Sequence, residues 1–365
     1  MDSWEPANSM LSLLRKLTDS DGISGYETKV RRVMADELRK LCKTIVVDNL
    51  GNLIGTKQSD SSANTVMLLS HMDEVGLVVK YVRPDGFINF DLCGKIDPTI
   101  LPSQWIRITT PTKTIRGVIG ARAGQLAESE LKRPSHFSMW IDIGAKSREE
   151  VSKFGVNIGD FATYDRPLEL LNGGKHIIGK ALDNRTGCLV MIESLNEIIG
   201  KNVDCQVHAV GTVMEEIGSV GAKVIGNNMQ SDVAIVIDGM PASDPFTPIE
   251  QCSVIVGNGP VIGKAELLIP DANVTPQWLA DLAIKTAKEE GIPYQVDVSS
   301  LFYSDASAIC ISGHGIPTIP ISIPRRNSHT PAETASIADI ENTIRLIAGL
   351  VERISSTDLT VNKKI

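Results

Sequence analysis

Clustered positive charge is what this 365-residue chain most obviously lacks: 36 Lys and Arg stand against 44 Asp and Glu, for a formal charge of -8. The longest basic clusters are single pairs such as Arg31-Arg32 and Arg325-Arg326. Nucleic acid is therefore not an expected partner, since it would be marked by a clustered basic face. No run approaches the roughly 20 apolar residues of a membrane span. The N-terminal MDSWEPANSMLSLLRKL carries acids early and no long apolar core, so it does not read as a secretory signal. The six cysteines (Cys42, Cys93, Cys188, Cys205, Cys252, Cys310) form no CxxC pair, which excludes a thiolate zinc knuckle and a thioredoxin-like motif. Most sit in apolar runs as small hydrophobes, so the expectation is a cytoplasmic protein in a reducing compartment, with no membrane partner.

Phosphate and nucleophile motifs are missing as well. Gly22-Ile23-Ser24-Gly25 has the wrong spacing for a GxSxG elbow. No GxxxxGK[ST] loop exists, and Gly218-Ser219-Val220-Gly221 lacks the flanking GxG of a dinucleotide site. His136, His176, His208 and His314 have no partner pattern, and Cys188, inside a helical run, reads as packing rather than as a nucleophile.

What is present is a core of ordinary size, with 42% hydrophobic and 22% charged residues. Leu11 to Leu17 and Val30 to Leu41 have helical spacing, and β-type runs follow at Thr44 to Val47, Leu53 to Gly55 and Val66 to Leu69. From about residue 78 to 173 the texture changes to short β-branched runs broken by turns, the pattern of a small barrel or sandwich. Strand and helix then alternate again: helices over Arg185 to Ile199, Pro276 to Glu290 and Asp339 to Ile354, strands over Asp204 to Met214, Val233 to Ile237 and Thr318 to Ile323. The pattern predicts an α/β fold, a mixed sheet with helices on both faces. Its catalytic part would be residues 1–77 and 174–365, interrupted by a β-rich barrel domain at 78–173, with residues 358–365 a loose tail.

Five residues of metal-ligating type stand at the ends of apolar runs: His71, Asp183, Glu216, Asp238 and His329, with a spare carboxylate, Glu215, beside the third. In open α/β sheets ligands gather beyond the carboxyl ends of strands. Taken singly, most of these positions favour bland roles: Asp183 a helix cap, Asp238-Gly239 a strand-ending turn, His329 a loop residue, Glu215-Glu216 a solvated helix start. His71-Met72-Asp73 is better, because on extended backbone an i, i+2 pair points the same way. Asp73 could then accept from the imidazole N–H that is not on metal. Together the set can hold two divalent cations and leave one acid for chemistry. Two histidines with three carboxylates suit zinc, cobalt or manganese better than calcium or magnesium.

These segments resemble the tetrahedral (TET-type) metallo-aminopeptidases, dinuclear zinc peptidases that include glutamyl and deblocking aminopeptidases and proteins once labelled cellulase M. The likeness runs through Gly22-Ile23-Ser24-Gly25-Tyr26-Glu27, Asp48-Asn49-Leu50-Gly51-Asn52, His71-Met72-Asp73-Glu74-Val75-Gly76, Ala181-Leu182-Asp183-Asn184-Arg185, Glu215-Glu216-Ile217-Gly218, Ile323-Pro324-Arg325-Arg326 and His329-Thr330-Pro331-Ala332-Glu333, and it implies a phosphorylase/hydrolase-like mixed sheet. It implies that Asp183 bridges two ions, with Glu216 and His329 on one and His71 and Asp238 on the other. Zinc would be the first choice and cobalt or manganese substitutes. It also implies that Glu215 is the general base and that the chain assembles as a dimer or a twelve-subunit shell, with the β insert shaping contacts and access. Two cations sharing a water would lower its pKa, and Glu215 would take the proton as the water attacks the peptide carbonyl of a short peptide. Two segments depart from the family pattern: Phe302-Tyr303-Ser304-Asp305 stands where Gly-Thr-Asp is common, and Gly120-Ala121-Arg122-Ala123-Gly124 lacks the Pro-His dipeptide often seen there. Rival expectations are a related deacylase or carboxypeptidase and a non-catalytic assembly protein that keeps the metal shell. A polysaccharide hydrolase would need paired carboxylates flanking a sugar cleft.

Overall fold

The computed structural model describes residues 9–59, 64–120, 135–171 and 173–359; residues 121–124 and most of the expected tail lie outside them. The apolar runs form a twelve-stranded mixed sheet. Its central four strands, in the order Gln206–Thr212, Thr65–His71, Val233–Pro241 and Thr318–Arg326, are parallel. Antiparallel strands flank them on both sides: Leu53–Lys57 and Thr44–Val47 beyond the first, Glu333–Ser336, His176–Gly179 and Glu169–Leu170 beyond the last.

Alternation along the central strands explains why these runs are apolar throughout. Val66, Leu68, Val207, Ile235 and Ile237 face a large core shared with helices Ser9–Asp19, Thr28–Leu41, Leu182–Gly200, Gln277–Glu289 and Ile337–Ser355. Met67, Leu69, Val210, Ala234 and Val236 face the opposite core, covered by Val220–Asn228 and Ala306–Cys310. A strand covered on both faces has no solvent side on which to carry polar residues.

Between the strands Thr65–His71 and His176–Gly179 the chain builds a closed six-stranded antiparallel barrel. It runs in the order Gly76–Val82, Ile88–Cys93, Trp140–Asp142, Thr114–Gly120, Trp105–Thr109 and Phe161–Tyr164. The barrel has its own core, including Leu77, Ile88, Phe90, Ile106, Ile108 and Ile141, and closure leaves it no free edge.

Five strands escaped the sequence pattern, among them the short Glu169–Leu170 and Glu333–Ser336. Val261–Leu268 pairs with Thr318–Arg326 and carries Asp271–Val274 and Gln295–Ser299 on its own flanks. These strands are short or half-exposed, so neither a continuous apolar run nor a clean alternation marks them. Two further differences concern strand ends. Asp238 does not terminate its strand, which runs on to Pro241 in register with Thr318–Arg326. Glu215 and Glu216 follow directly after Gln206–Thr212 in a turn rather than a helix start. Among the described residues, no helix is long and apolar enough to cross a membrane.

Buried ions fasten the barrel to the sheet. Asp21 accepts from Arg107 (2.7 Å) and from the Thr163 hydroxyl (2.8 Å), both on barrel strands, and lies 3.3 Å from Lys180. Lys180, fully buried, donates to both oxygens of Glu74 at 2.7 and 2.8 Å, and Arg185 reaches the same carboxylate at 3.2 Å. Removing Glu74 would leave Lys180 with Asp21 alone and Arg185 with backbone carbonyls alone, and breaking a buried pair by deleting one partner costs about 3–5 kcal/mol. Glu74→Ala is therefore expected to lower stability by about that amount, read as a fall in the denaturant midpoint; an unchanged midpoint would show that the network does not hold the fold.

Candidate metal centre

Each candidate side chain is set by the element that carries it. The parallel strand Thr65–His71 delivers His71, whose imidazole is buried at the sheet edge. Its Nε2 lies 3.3 Å from Asp183 Oδ1, 3.5 Å from Asp238 Oδ1 and 4.0 Å from Glu215 Oε2. His329, on the loop after Thr318–Arg326, takes a left-handed conformation (φ 58°) held by its own N–H donating to Glu333 Oε1 at 2.7 Å. Its Nε2 lies 3.1 Å from Asp183 Oδ2 and 3.5 Å from Glu216 Oε2, and its Nδ1 is 2.6 Å from the Lys95 carbonyl, at the barrel. Two donor sets result, His71–Asp183–Asp238 and Asp183–Glu216–His329, and in each set the ligand atoms lie within 4.8 Å of one another. Asp183 belongs to both. Glu215 belongs to neither and lines the same cavity.

Asp183 is free to do this because its neighbour does the capping. Asn184 Oδ1 accepts from the Gly187 N–H (3.1 Å), and its amide donates to the Ile237 carbonyl (2.8 Å). The Asp183 N–H goes instead to Glu333 Oε2 at 2.9 Å.

Asp73 faces His71 across 3.3 Å, Oδ1 to Nδ1, and has a further role. The aligned bonds of Asp73 come from the backbone N–H groups of Glu215 and Glu216 (both 3.1 Å) and from the Ser24 hydroxyl (2.6 Å). Asp73 thus fixes the turn that presents both glutamates. Two other motif residues support that turn: Glu27 accepts from the Met214 N–H (3.1 Å), and Asn52 Oδ1 accepts from the Val213 N–H (3.0 Å). Gly221 closes it, since a Cβ there would sit 2.4 Å from both Asn52 Oδ1 and the Val213 carbonyl.

Sequence patterns gave no role to Arg325, Glu333 or Thr212. Buried Arg325 pairs with Asp183 and donates to Glu333 Oε1 at 3.1 Å. It lies across Gly239, where a Cβ would meet its Nε at 2.4 Å. Thr212 donates to buried Asp305 at 2.5 Å. An arginine at the end of an otherwise apolar strand, with a glycine two places before its register partner on the neighbouring strand, is the signal that could have been read.

Burial and crowding set the protonation of the centre. Burial pushes Glu215 well above the ordinary carboxylate range, with Asp238, Glu216 and Asp305 adding to the rise, and burial is the main reason Glu216 stands at about 8. For the histidines burial acts downward, but hydrogen bonding to Asp183 prevails: His71 is raised well above its usual value, and His329 to about 9. Asp183 is held well below its usual value, because Arg325 and the two imidazoles outweigh its burial. Asp183 Oδ1 and Glu216 Oε1 are buried without a hydrogen-bond partner. Leaving such atoms unmatched costs about 1–3 kcal/mol each, and carboxylate oxygens facing imidazole nitrogens are what a divalent cation of zinc type takes up. The residues present fit two such ions.

A second buried acid lies behind the centre. Glu266 accepts from the Ser304 hydroxyl (2.9 Å to each oxygen) and is raised chiefly by burial, to about 8. The unfolded chain releases this proton near the ordinary 4.5, so between the two values the folded state binds more protons. The contribution to stability is complete below pH 4.5 and is lost as pH rises to about 8. Glu266→Gln is expected to flatten that decline by an amount on the order of a few kcal/mol. Denaturant midpoints at pH 5 and pH 8 check this; parallel curves for the two proteins would contradict it.

A cavity of about 830 Å³ opens over both donor sets, between barrel-side residues such as Ile96 and Ile100 and, opposite them, Leu268 at a strand end and Phe302 on a loop.

Comparison with known proteins agrees with this geometry. A family model described as M42 glutamyl aminopeptidase matches residues 51–346, and a short one described as AMPT matches residues 8–34. The lysyl aminopeptidase of Pyrococcus furiosus is 31% identical over 365 residues, covering 99% of this chain and all of the relative. An aminopeptidase structure from the archaeon Desulfurococcus kamchatkensis superposes with a TM-score of 0.90 at 31% identity, over 96% of each chain. The TET1 peptidase of Pyrococcus horikoshii, which can assemble into a tetrahedron or a large octahedral shell, gives 0.83 at 29% identity over 94% of this chain and 99% of that one. With its α/β sheet, its closed barrel and a match over most of its length, the chain belongs to the M42 glutamyl aminopeptidase family.

Proposed function

We propose that this chain is a two-metal aminopeptidase that removes the N-terminal residue from short peptides, with Glu215 as general base. One ion is assigned to His71 and Asp238, the other to Glu216 and His329, with Asp183 shared; zinc is the first candidate, and cobalt or manganese substitutes. The observation that carries this is the pair of donor sets meeting at Asp183, with a further buried carboxylate, Glu215, at their side and in neither set.

When bound, the cations supply Lewis acidity and lower the pKa of water. The protein's own groups do the rest. Glu215, on the cavity beside both donor sets and in neither, is placed to take a proton from the attacking water and return it to the departing amine. Asp73 keeps Glu215 and Glu216 in place through their backbone N–H groups. Arg325 and Glu333 keep Asp183 and His329 oriented from behind. Barrel residues and residues of the sheet domain flank the cavity over these groups.

Catalytic residues are assigned to 1–77 and 174–365, and control of access and subunit contacts to the barrel region 78–173. Self-association, from a dimer up to twelve subunits, is proposed by analogy with the assembling TET1 peptidase, and a cytoplasmic setting is proposed from the six free cysteines. Incubation with unblocked and N-acetylated peptides in Zn²⁺, Co²⁺ or Mn²⁺ tests the reaction. Stepwise release of the first residue from unblocked peptides alone is expected. Preference for blocked peptides would favour the deacylase reading, and release from the carboxyl end a carboxypeptidase.

A further inference from the structure

We propose that Gly94 and Lys95, where the chain leaves the barrel strand Ile88–Cys93, are positioning residues for one of the two ions. The site of Glu216 and His329 is completed by this barrel segment, whereas the site of His71 and Asp238 is held by the sheet; the inference rests on the two-metal reading. His329 is the more open of the two histidines, its side chain 23% exposed against 2% for His71. It stands on a loop, so its ring is fixed by contacts rather than by a strand or helix. Nε2 faces Asp183 Oδ2 at 3.1 Å, and Nδ1 lies 2.6 Å from the Lys95 carbonyl. A carbonyl can only accept, so Nδ1 carries the proton of that bond. The neutral ring then turns a bare Nε2 to the cation.

The Lys95 carbonyl is itself held from both sides. Gly94 takes a left-handed conformation (φ 85°), and a Cβ there would sit 2.7 Å from Val75 Cγ1 and 3.4 Å from Glu216 Cβ. Glycine alone meets both demands without strain. On the other side, Ile96 is buried in the barrel core. One short segment thus abuts both unshared ligands of this set: Gly94 packs against Glu216, and the Lys95 carbonyl orients His329. The other set is built differently. His71 and Asp238 stand on the neighbouring parallel strands Thr65–His71 and Val233–Pro241, which bring them to 3.5 Å. Among the described residues their side chains make polar contacts with Asp73, Asp183, Glu215 and Gly239, all outside the barrel.

The test is titration of the metal-stripped, full-length chain with Zn²⁺ or Co²⁺, reading bound metal and, for Co²⁺, the visible absorption of each equivalent. Gly94→Ala should leave one ion at wild-type affinity and weaken the other by about 10- to 100-fold, the loss that follows when a ligand's outer partner is disturbed. The Co²⁺ spectrum should change for the weakened ion alone. Two backgrounds identify it. With Asp238→Ala, which spares the Glu216–His329 site, adding Gly94→Ala should lower the affinity of the remaining ion; with His329→Ala it should not. Lys95→Ala should change neither ion, because the contact is made by the backbone. Should Gly94→Ala not fold, Ile96→Ala, which removes the anchor on the other side of Lys95, takes its place with the same expected pattern. Equal weakening of both ions, no weakening of either, loss confined to the His71–Asp238 ion, or a loss with Lys95→Ala overturns the assignment while the two-metal reading stands. A wild-type chain that binds fewer than two ions overturns both.

Discussion

Replacing Glu215 with Gln is expected to lower kcat by about a hundredfold to ten-thousandfold, the span that general acid–base groups supply, with metal content unchanged. Gln keeps the size of the side chain and the backbone N–H that Asp73 holds, so the turn carrying Glu216 should persist. Glu215 lies in neither donor set, so both ions should remain. What disappears is a carboxylate able to move a proton. The loss should fall on kcat and kcat/KM alike, because the proton is transferred only at the transition state. Activity within a few fold of wild type, at normal metal content, would remove Glu215 from its assigned role.

Asp183→Ala is expected to have the other large effect, because one side chain is common to both donor sets. Metal bound per chain should fall sharply, and activity by more than about a thousandfold, since Lewis-acid stabilisation is worth several kcal/mol and each 1.36 kcal/mol is a factor of ten. The same change leaves Arg325 with Glu333 as its remaining ionic partner in a buried site, so some stability should be lost too. Asp183→Asn separates the two effects: it preserves volume and removes the charge, and unfolding measured in chelator reports the structural part alone. Retention of full metal content in Asp183→Ala would refute the shared-ligand assignment. Asp238→Ala touches one set only and should weaken one site while sparing the other.

The main sheet and the barrel were legible because burial on two faces, or on one, leaves a direct mark on composition. Val233 to Ile237 could hardly be anything but a central strand, and the short β runs after Gly76 gave the barrel. The strands Val261–Leu268, Asp271–Val274 and Gln295–Ser299 were not, because half-exposed strands on a side branch mix polar and apolar residues without a clean period. In the centre, His71, Asp183, Glu216, Asp238 and His329 could be nominated from their places after strands, and the structure brings them together. Their supports could not be nominated in the same way. Asp73 shares a tripeptide with His71, yet its aligned bonds go to a turn 142 and 143 residues away. Arg325 and Glu333 act through Asp183 and each other, brought near by the antiparallel pairing of Glu333–Ser336 with both Thr318–Arg326 and His176–Gly179. Local spacing carries no record of such contacts.

The central claim is that two cations, sharing Asp183, sit beside a base that is not a ligand. Stripping the purified full-length chain of metal with chelator, then titrating Zn²⁺ or Co²⁺ while measuring bound metal and release of an N-terminal residue, tests it most directly. The account predicts saturation at about two ions per chain with activity returning as they bind, in keeping with metal-ion catalysis. Full activity in the stripped protein, or no metal bound at saturation, would contradict it.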